Sequence, residues 1–259
     1  MAAAFRNRLL AALCEEDREV MRPLVEFTPL SLRQSVEAAG KPITHAYFPE
    51  SGCMSVMAQA PGHNRRIEVA LIGYEGMSGL GLVLGDNRAV NEVGVRIAGG
   101  GWRVAAESIV EAMRESTTLY QHLLRYVHAF IAQASQTALS HGRAKLDERL
   151  ARWLLMSHDR FQADRLNTTH DYVAETLGVR RAGITLALHA LEAKGLIRSA
   201  RNQITICDRE GLCEHANGSY GVAEAVYARL FGGEIALSER GQQLKGEEGA
   251  TARRDSLPS

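Results

Sequence analysis

The chain has 259 residues, with 30 basic and 30 acidic side chains and 46% apolar residues. That length allows one large domain or two smaller ones, and the neutral balance excludes a chain whose overall charge selects its partner. There is no apolar run long enough to span a bilayer and no basic-then-apolar leader in Met1-Ala-Ala-Ala-Phe-Arg-Asn-Arg-Leu-Leu, so a cytoplasmic protein without membrane contact is expected.

Residues 1–35 are expected to form short amphipathic helices, with Leu9, Leu10, Leu13 and Val20 on one face and Pro23 and Pro29 interrupting the pattern. Residues 41–105 change character. Short β-type runs at 43–48, 53–58, 66–72, 92–97 and 102–105 are separated by glycine- or proline-rich stretches, which predicts a small antiparallel roll or barrel. Residues 106–140 lack proline and glycine and read as one long helix. Two apolar stripes run along it. Leu119, Leu123, Tyr126 and Phe130 form the stripe expected to meet a second subunit in a short parallel coiled coil. Leu124, Val127, Ile131, Ala134 and Ala138 form the other, leaving it to pack on the roll. His141-Gly142 marks a joint. One more helix over 143–158 points Leu146, Leu150, Trp153 and Leu154 inward, and 161–167 reads as a polar loop.

The densest signal lies in residues 169–207. Thr169 is placed to cap a short helix with Tyr172, Val173, Thr176 and Leu177 inward, and Gly178 suits the sharp turn after it. A second helix carries Ile184, Leu188 and Leu191 on its inner face and ends at Lys194-Gly195. Its outer strip starts with Arg180 and Arg181 in the first turn and continues to Thr185 and His189. Strands at 196–199 and 203–207 follow, around Ala200-Arg201-Asn202. This is the pattern of a winged helix-turn-helix. Arg180, Arg181, Thr185 and His189 would face base edges, and Thr169, His170, Arg201 and Asn202 would hold phosphates. Between residues 176 and 206 the basic residues are Arg180, Arg181, Lys194, Arg198 and Arg201, against the single acid Glu192. A neutral chain with one basic strip fits an electrostatic footprint confined to one face. The alternative function is a small-molecule-sensing signalling module whose helical domain contacts a protein rather than DNA.

A β-roll, a long helix and a winged helix-turn-helix, in that order, resemble the Crp/Fnr family of bacterial transcription regulators. Three stretches carry the resemblance: Tyr47-Phe48-Pro49-Glu50-Ser51-Gly52 with Ser55-Val56; Gly73-Tyr-Glu-Gly-Met-Ser-Gly79; and Glu148-Arg-Leu-Ala-Arg-Trp-Leu-Leu155 with Leu177-Gly-Val-Arg-Arg181. The resemblance covers roughly residues 20–215 and looks closest to an effector-orphan branch. It implies an α+β fold: a sensory roll with N-terminal helices (1–106), a dimerisation helix (107–140), a DNA-binding domain (141–215) and a C-terminal extension (216–259) largely disordered after 232. It further implies a homodimer on a palindromic double-stranded DNA operator, no enzymatic activity, and room for an RNA polymerase contact and a small-molecule effector.

Departures from the family pattern shape the effector expectation. The glutamate that holds a cyclic nucleotide's ribose falls at Met77 or, in a shifted register, Leu80. The phosphate-pairing arginine falls near Asn87 or Val90, with Arg88 close by. Gly76, Met77, Gly79, Leu80 and Arg88 therefore mark the expected effector pocket, and cyclic AMP is not the expected effector. An iron–sulfur cluster is not expected either, because Cys14 and Cys53 are too few to supply four thiolates. In the recognition helix Arg181 is followed by Ala182 where relatives often carry glutamate, and Leu186 stands where a further arginine is common, so the operator should differ from the family consensus.

Other groupings read as structural. Cys207, Cys213 and His215 match no zinc spacing, Cys207 is expected in a strand core, and His122 and His128 read as ordinary helix residues. There is no nucleophile–base–acid set, P-loop or dinucleotide fingerprint, and no cofactor is expected.

Overall fold

The structure, a computed structural model, describes residues 5–60, 62, 66–161 and 164–232. The disorder expected after residue 232 lies outside them. Two short helices, α1 (Arg8–Ala11) and α2 (Glu15–Met21), open the chain. Five strands follow: β1 (Glu26–Leu30), β2 (Ser35–Glu37), β3 (His45–Gln59), β4 (Arg66–Ile72) and β5 (Glu92–Ala105), with the single-turn α3 (Leu80–Val83) before β5. They form one antiparallel sheet in the order β1-β5-β3-β4, with β2 also on β5.

Two expectations change here. Residues 26–30 are a strand, not helix. Pro29 is tolerated because β1 is an edge of the sheet and needs no ladder N–H on its open side. The stretches 49–52 and 99–101 are not turns between short strands. They lie inside two long strands that bend at register shifts near Pro49, Ser51 and Cys53. The glycines fit close packing rather than chain reversal. A Cβ on Gly100 would sit 2.6 Å from the Phe27 ring, and one on Gly101 would sit 2.5 Å from the Phe48 carbonyl.

The long helix is two. α4 (Ala106–Glu115) ends at Ser116, which leaves helical geometry at φ −117°, ψ 108°. The Ser116 hydroxyl then accepts from Leu119 N–H and starts α5 (Thr117–Arg143). Apolar periodicity hid this break because serine caps a helix without disturbing either stripe. The first stripe does not take the role expected of it. Leu119, Leu123 and Tyr126 are 0%, 1% and 3% exposed inside the chain's own core, with Phe130 half-buried against the sheet. Side chains filled in by their own chain cannot form a seam with another. The second stripe is open only in part: Val127 is 4% exposed within the same core and Leu124 packs against it, whereas Ile131 is 54% exposed and Ala138 is exposed. Gln133 fastens α5 to the edge strand β4: its Oε1 accepts from Leu71 N–H at 2.7 Å and its Nε2 donates to Leu71 O at 3.2 Å. His122 is buried, with Nε2 2.9 Å from Leu9 O, whereas His128 is exposed.

The C-terminal part comprises α6 (Leu146–Phe161), β6 (Arg165–Asn167), α7 (His170–Leu177), α8 (Arg181–Ala193), β7 (Ile197–Ala200), β8 (Gln203–Ile206), α9 (Arg209–His215) and α10 (Val222–Phe231). The stretch expected as a polar loop contains β6, which pairs with β8 and buries Leu166. Its two flanking residues are exposed, so three residues carry too little alternation to read as a strand. α10 folds back on α5, where the Tyr227 and Phe231 rings meet at a tilt of 35° and the Tyr227 hydroxyl donates to Glu75 O at 2.8 Å.

The roll and the winged domain are pinned together by Glu68 on β4. Its carboxyl group accepts from Ser55 Oγ (2.5 Å), Trp153 Nε1 of α6 (3.0 Å) and Tyr172 OH of α7 (3.3 Å), with the Arg96 charge and His141 also close. Burial raises its pKa to about 7, against the pull of those donors and Arg96. The folded state thus retains a proton that the unfolded chain releases at about pH 4.3. The associated stability is complete below that pH and is lost as pH rises through about 7. Glu68→Gln should therefore flatten the fall in urea stability between about pH 5 and pH 8 by about 2–3 kcal/mol. Some slope should remain from Asp159, raised by its own burial to about 6. An unchanged slope would show that Glu68 ionises freely in the folded protein.

Candidate nucleic-acid interface

The winged domain is built on its own apolar core. Leu150 and Leu154 of α6, Val173 and Leu177 of α7, and Ile184 and Leu188 of α8 close on one another. Thr169 caps α7 as expected, accepting from Tyr172 N–H at 3.1 Å. Gly178 ends α7 at φ 65°, the left-handed region that favours glycine. Arg149 also closes this end by donating to Leu177 O. Gly195, at φ 72°, follows α8 in the same way.

α8 begins at Arg181, so Arg180 is its cap residue rather than part of its first turn. The outer face of α8 is open to solvent: Arg181, Ala182, Leu186, His189 and Ala190 are all exposed. Its residues are not equally free. Arg181 is 67% exposed, with Nε 3.6 Å from Asp171 Oδ1 of α7, an acid outside the stretch whose charges were counted above. At that exposure the pair contributes about 0–1 kcal/mol, too little to hold the guanidinium from a stronger acceptor. Thr185 is half-buried, with its hydroxyl donating back to Arg181 O at 3.3 Å and lying 3.2 Å from His170 Nδ1. It braces α7 against α8 more than it offers a free group. Glu192, the one acid in the basic stretch, accepts from Ser199 N–H at 2.9 Å and so turns toward the hairpin.

The hairpin has a two-residue tip, Arg201-Asn202, between the paired Ala200 and Gln203. Asn202 adopts φ 58°, a conformation asparagine tolerates better than most residues, and its carbonyl accepts from Thr168 N–H at 3.1 Å. Arg201 and Asn202 are exposed at the tip, and Thr169 and His170 stand at the N-terminus of α7. The structure thus gathers the eight expected residues on one domain, with Thr185 and the capping oxygen of Thr169 already engaged. Leu186, 71% exposed in the middle of α8, was treated in the sequence only as a departure from a family arginine. On this face an apolar side chain is suited to a thymine methyl group.

The roll contains a separate cavity of about 280 Å3 between the α3 segment and α5. Gly79, Leu80 and Arg88 line it, as expected. Gly76 and Met77 do not: Met77 is wholly buried in the core, and a Cβ on Gly76 would sit 2.0 Å from the Tyr126 hydroxyl. Glu37, Val127 and Phe130 line it instead. The Glu37 carboxyl accepts from Gly79 N–H at 2.6 Å, and burial holds it above the usual carboxylate range. Strand β2 is too short for the sequence to have signalled this approach.

Cys207 is exposed beyond β8 rather than in a strand core, while Cys53 is fully buried and burial pushes its thiol pKa up. Among the described residues no group of three or more His, Cys, Asp or Glu converges as a metal site, and no helix is long and apolar enough to cross a membrane.

Comparison with known proteins agrees with this geometry. Residues 148–215 match the Crp-like helix-turn-helix domain family. No curated protein sequence matches the chain. Among solved structures, a Crp/Fnr-family transcriptional regulator from Eubacterium rectale superposes with a TM-score of 0.64 at 18% identity, covering 81% of this chain and 98% of that one. A Crp-family regulator from Thermus thermophilus gives 0.62 at 15% identity, covering 75% and 99%. FixK2 from Bradyrhizobium japonicum gives 0.61 at 18%, covering 73% and 96%. The chain carries a Crp-like helix-turn-helix domain within the α+β fold of the Crp/Fnr transcriptional regulators.

Proposed function

We propose that this protein is a sequence-specific DNA-binding transcription regulator, cytoplasmic and without enzymatic activity, that acts as a homodimer on an inverted-repeat operator. The observation that carries the reading is the solvent-open outer face of α8, with Arg181 at its N-terminal end, in a domain that matches the Crp-like helix-turn-helix. Arg181, Leu186 and His189 would read base edges in the major groove. Arg180, Arg201, Asn202, His170 and the hydroxyl proton of Thr169 would engage phosphates. The domains divide as a roll through β5, connecting helices α4 and α5, a winged domain from α6 through α9, and the α10 strap.

The dimer seam we propose is the outward edge of the second α5 stripe. Leu124, Ile131 and Ala138 recur at seven-residue intervals, the repeat of a two-helix seam. In the roll cavity, Glu37 and Asp86 face a single arginine, Arg88, which donates to Gly40 O at 3.2 Å. That balance speaks against an anionic cyclic nucleotide there, and it leaves an uncharged effector or none.

Selection of random duplexes by the purified full chain, followed by sequencing, tests the reading. An enriched inverted repeat with half-sites about one helical turn apart is expected. Binding to a protein with no nucleic-acid enrichment would favour a signalling module. Against the selected site, Arg181→Ala should cost about 1–3 kcal/mol and relax preference at one base pair per half-site. An equal loss on every sequence would assign it to phosphate. Arg201→Ala should weaken all sequences alike and reduce the salt slope by about 1; an unchanged slope would remove the wing from the interface. In sedimentation, Ile131→Asp should give a folded monomer, whereas a dimer that persists would place the seam elsewhere.

A further inference from the structure

A second cavity, of about 180 Å3, lies between the two domains rather than inside the roll. Leu71 and Ile97 wall it from the roll, and Trp153, Phe161 and Leu166 from the winged domain. The charged residues in its lining are Arg33 and Arg96; no carboxylate lines it, and Glu68, whose carboxyl feels the Arg96 charge, is not among the lining residues. Three further features set this cleft apart from ordinary interdomain packing. First, the Nε of Arg96 is buried with no hydrogen-bond partner. Second, the hydroxyl of Thr168, a residue of the opposing domain that lines the same cleft, is also buried and unpartnered. Buried donors without acceptors are costly and uncommon, and two in one apolar space mark a place for an acceptor. Third, Arg33 at the exposed rim is held in the left-handed region at φ 67°, a conformation unusual for arginine and one that recurs near binding sites.

The half-buried Arg96 is also positioned in advance. The Arg96 guanidinium carbon lies 5.2 Å from the centre of the Tyr172 ring, a cation–π contact that helps to hold the group in place. We propose that this cleft is a binding site for a small aromatic or medium-chain aliphatic carboxylate. The ligand's apolar body would lie against Trp153, Leu71 and Leu166, with its carboxylate between Arg96 and the Thr168 hydroxyl and within the field of Arg33. A phosphate ester is the poorer match, because one buried guanidinium Nε and one hydroxyl leave most of a dianion's oxygens among apolar walls. Because the walls come from both domains, binding stabilises their present arrangement in proportion to occupancy. Thr168 directly precedes the Thr169 cap of α7, so the ligand would also fix the entry to the helix pair proposed to hold DNA.

The test uses the full chain carrying Trp102→Phe, which leaves Trp153 as the sole tryptophan of two. Phenylacetate and octanoate are titrated by fluorescence and calorimetry, each beside its uncharged match, 2-phenylethanol or octanol. Saturable binding of an acid at one per chain, with a change in Trp153 emission and a rise in thermal midpoint, is expected. Arg96→Leu should weaken it about tenfold or more, and Thr168→Val by about threefold. Arg88→Leu, in the roll's own cavity, should leave it unchanged. Alcohols binding as tightly as acids, loss with Arg88→Leu but not Arg96→Leu, or no saturable binding of either acid up to millimolar concentration would each overturn the proposal. Because the variant's DNA selectivity is read separately, failure here is distinct from failure of the regulator reading.

Discussion

Helix α6 has to satisfy three neighbours at once, and the arrangement of the molecule follows from how it does so. Leu150 and Leu154 face the winged-domain core, while Trp153, Met156 and Arg160 face the roll. Arg152 and Asp159, two turns apart on one line, face α9 and the segment that follows it. Arg152 donates to Ser219 O at 2.8 Å, and Asp159 accepts from Arg209 at 2.6 Å and Tyr220 at 2.7 Å. Each buried charge is therefore met by a partner from a different element. Arg160 Nε lies 2.8 Å from Glu75 Oε1, with both side chains 3% exposed, though off the line of a hydrogen bond. Removing one member of such a pair leaves an uncompensated buried charge, which costs about 3–5 kcal/mol. Contact between the roll and α6 is thus specified by the Arg160–Glu75 pair and the Trp153–Glu68 hydrogen bond as well as by apolar area.

How much of this was legible in the sequence depended on whether a signal was local. The Thr169 cap, Gly178, the Ile184–Leu188–Leu191 face and the two-residue hairpin are each set by neighbours a few positions away, and all could be read. The roll was legible as a class but not in its strands. The glycines at 99–101 look like turn residues, and only the approach of Phe27 and Phe48 explains them as strand. The α5 stripes were correctly seen as two, but their assignment could not be. A buried face and an oligomer face have the same composition when both are apolar, and burial of Leu123 beside exposure of Ile131 depends on tertiary packing. The acid Glu37 went unnoticed because its partner Gly79 lies far along the chain.

The recognition face shows the same division. Its charge was readable as a basic strip, but the strip is less uniform than a count suggests. Asp171 stands across from Arg181, Thr185 bonds back to its own helix, and Glu192 is turned to the hairpin. What remains exposed is a cation at one end, an apolar Leu186 in the middle and a histidine at the far end. Such a face combines one strong polar anchor with shape-dependent contacts, which suits discrimination by a few positions rather than tight binding to any duplex.

The contacts that join roll to winged domain converge on α7 rather than α8. Glu68 reaches Tyr172, Arg66 pairs with Glu175 at 2.5 Å, Arg96 lies over Tyr172, and Ile67 packs on Gly178. α7 in turn carries Thr169, His170 and Asp171, which cap, brace and partly neutralise the recognition helix. A change in the roll that shifts β4 or β5 therefore reaches α8 through α7, as well as through α6. A ligand need not touch the recognition helix to alter it. It needs only to favour one position of α7 over another, and its influence is bounded by that difference in affinity.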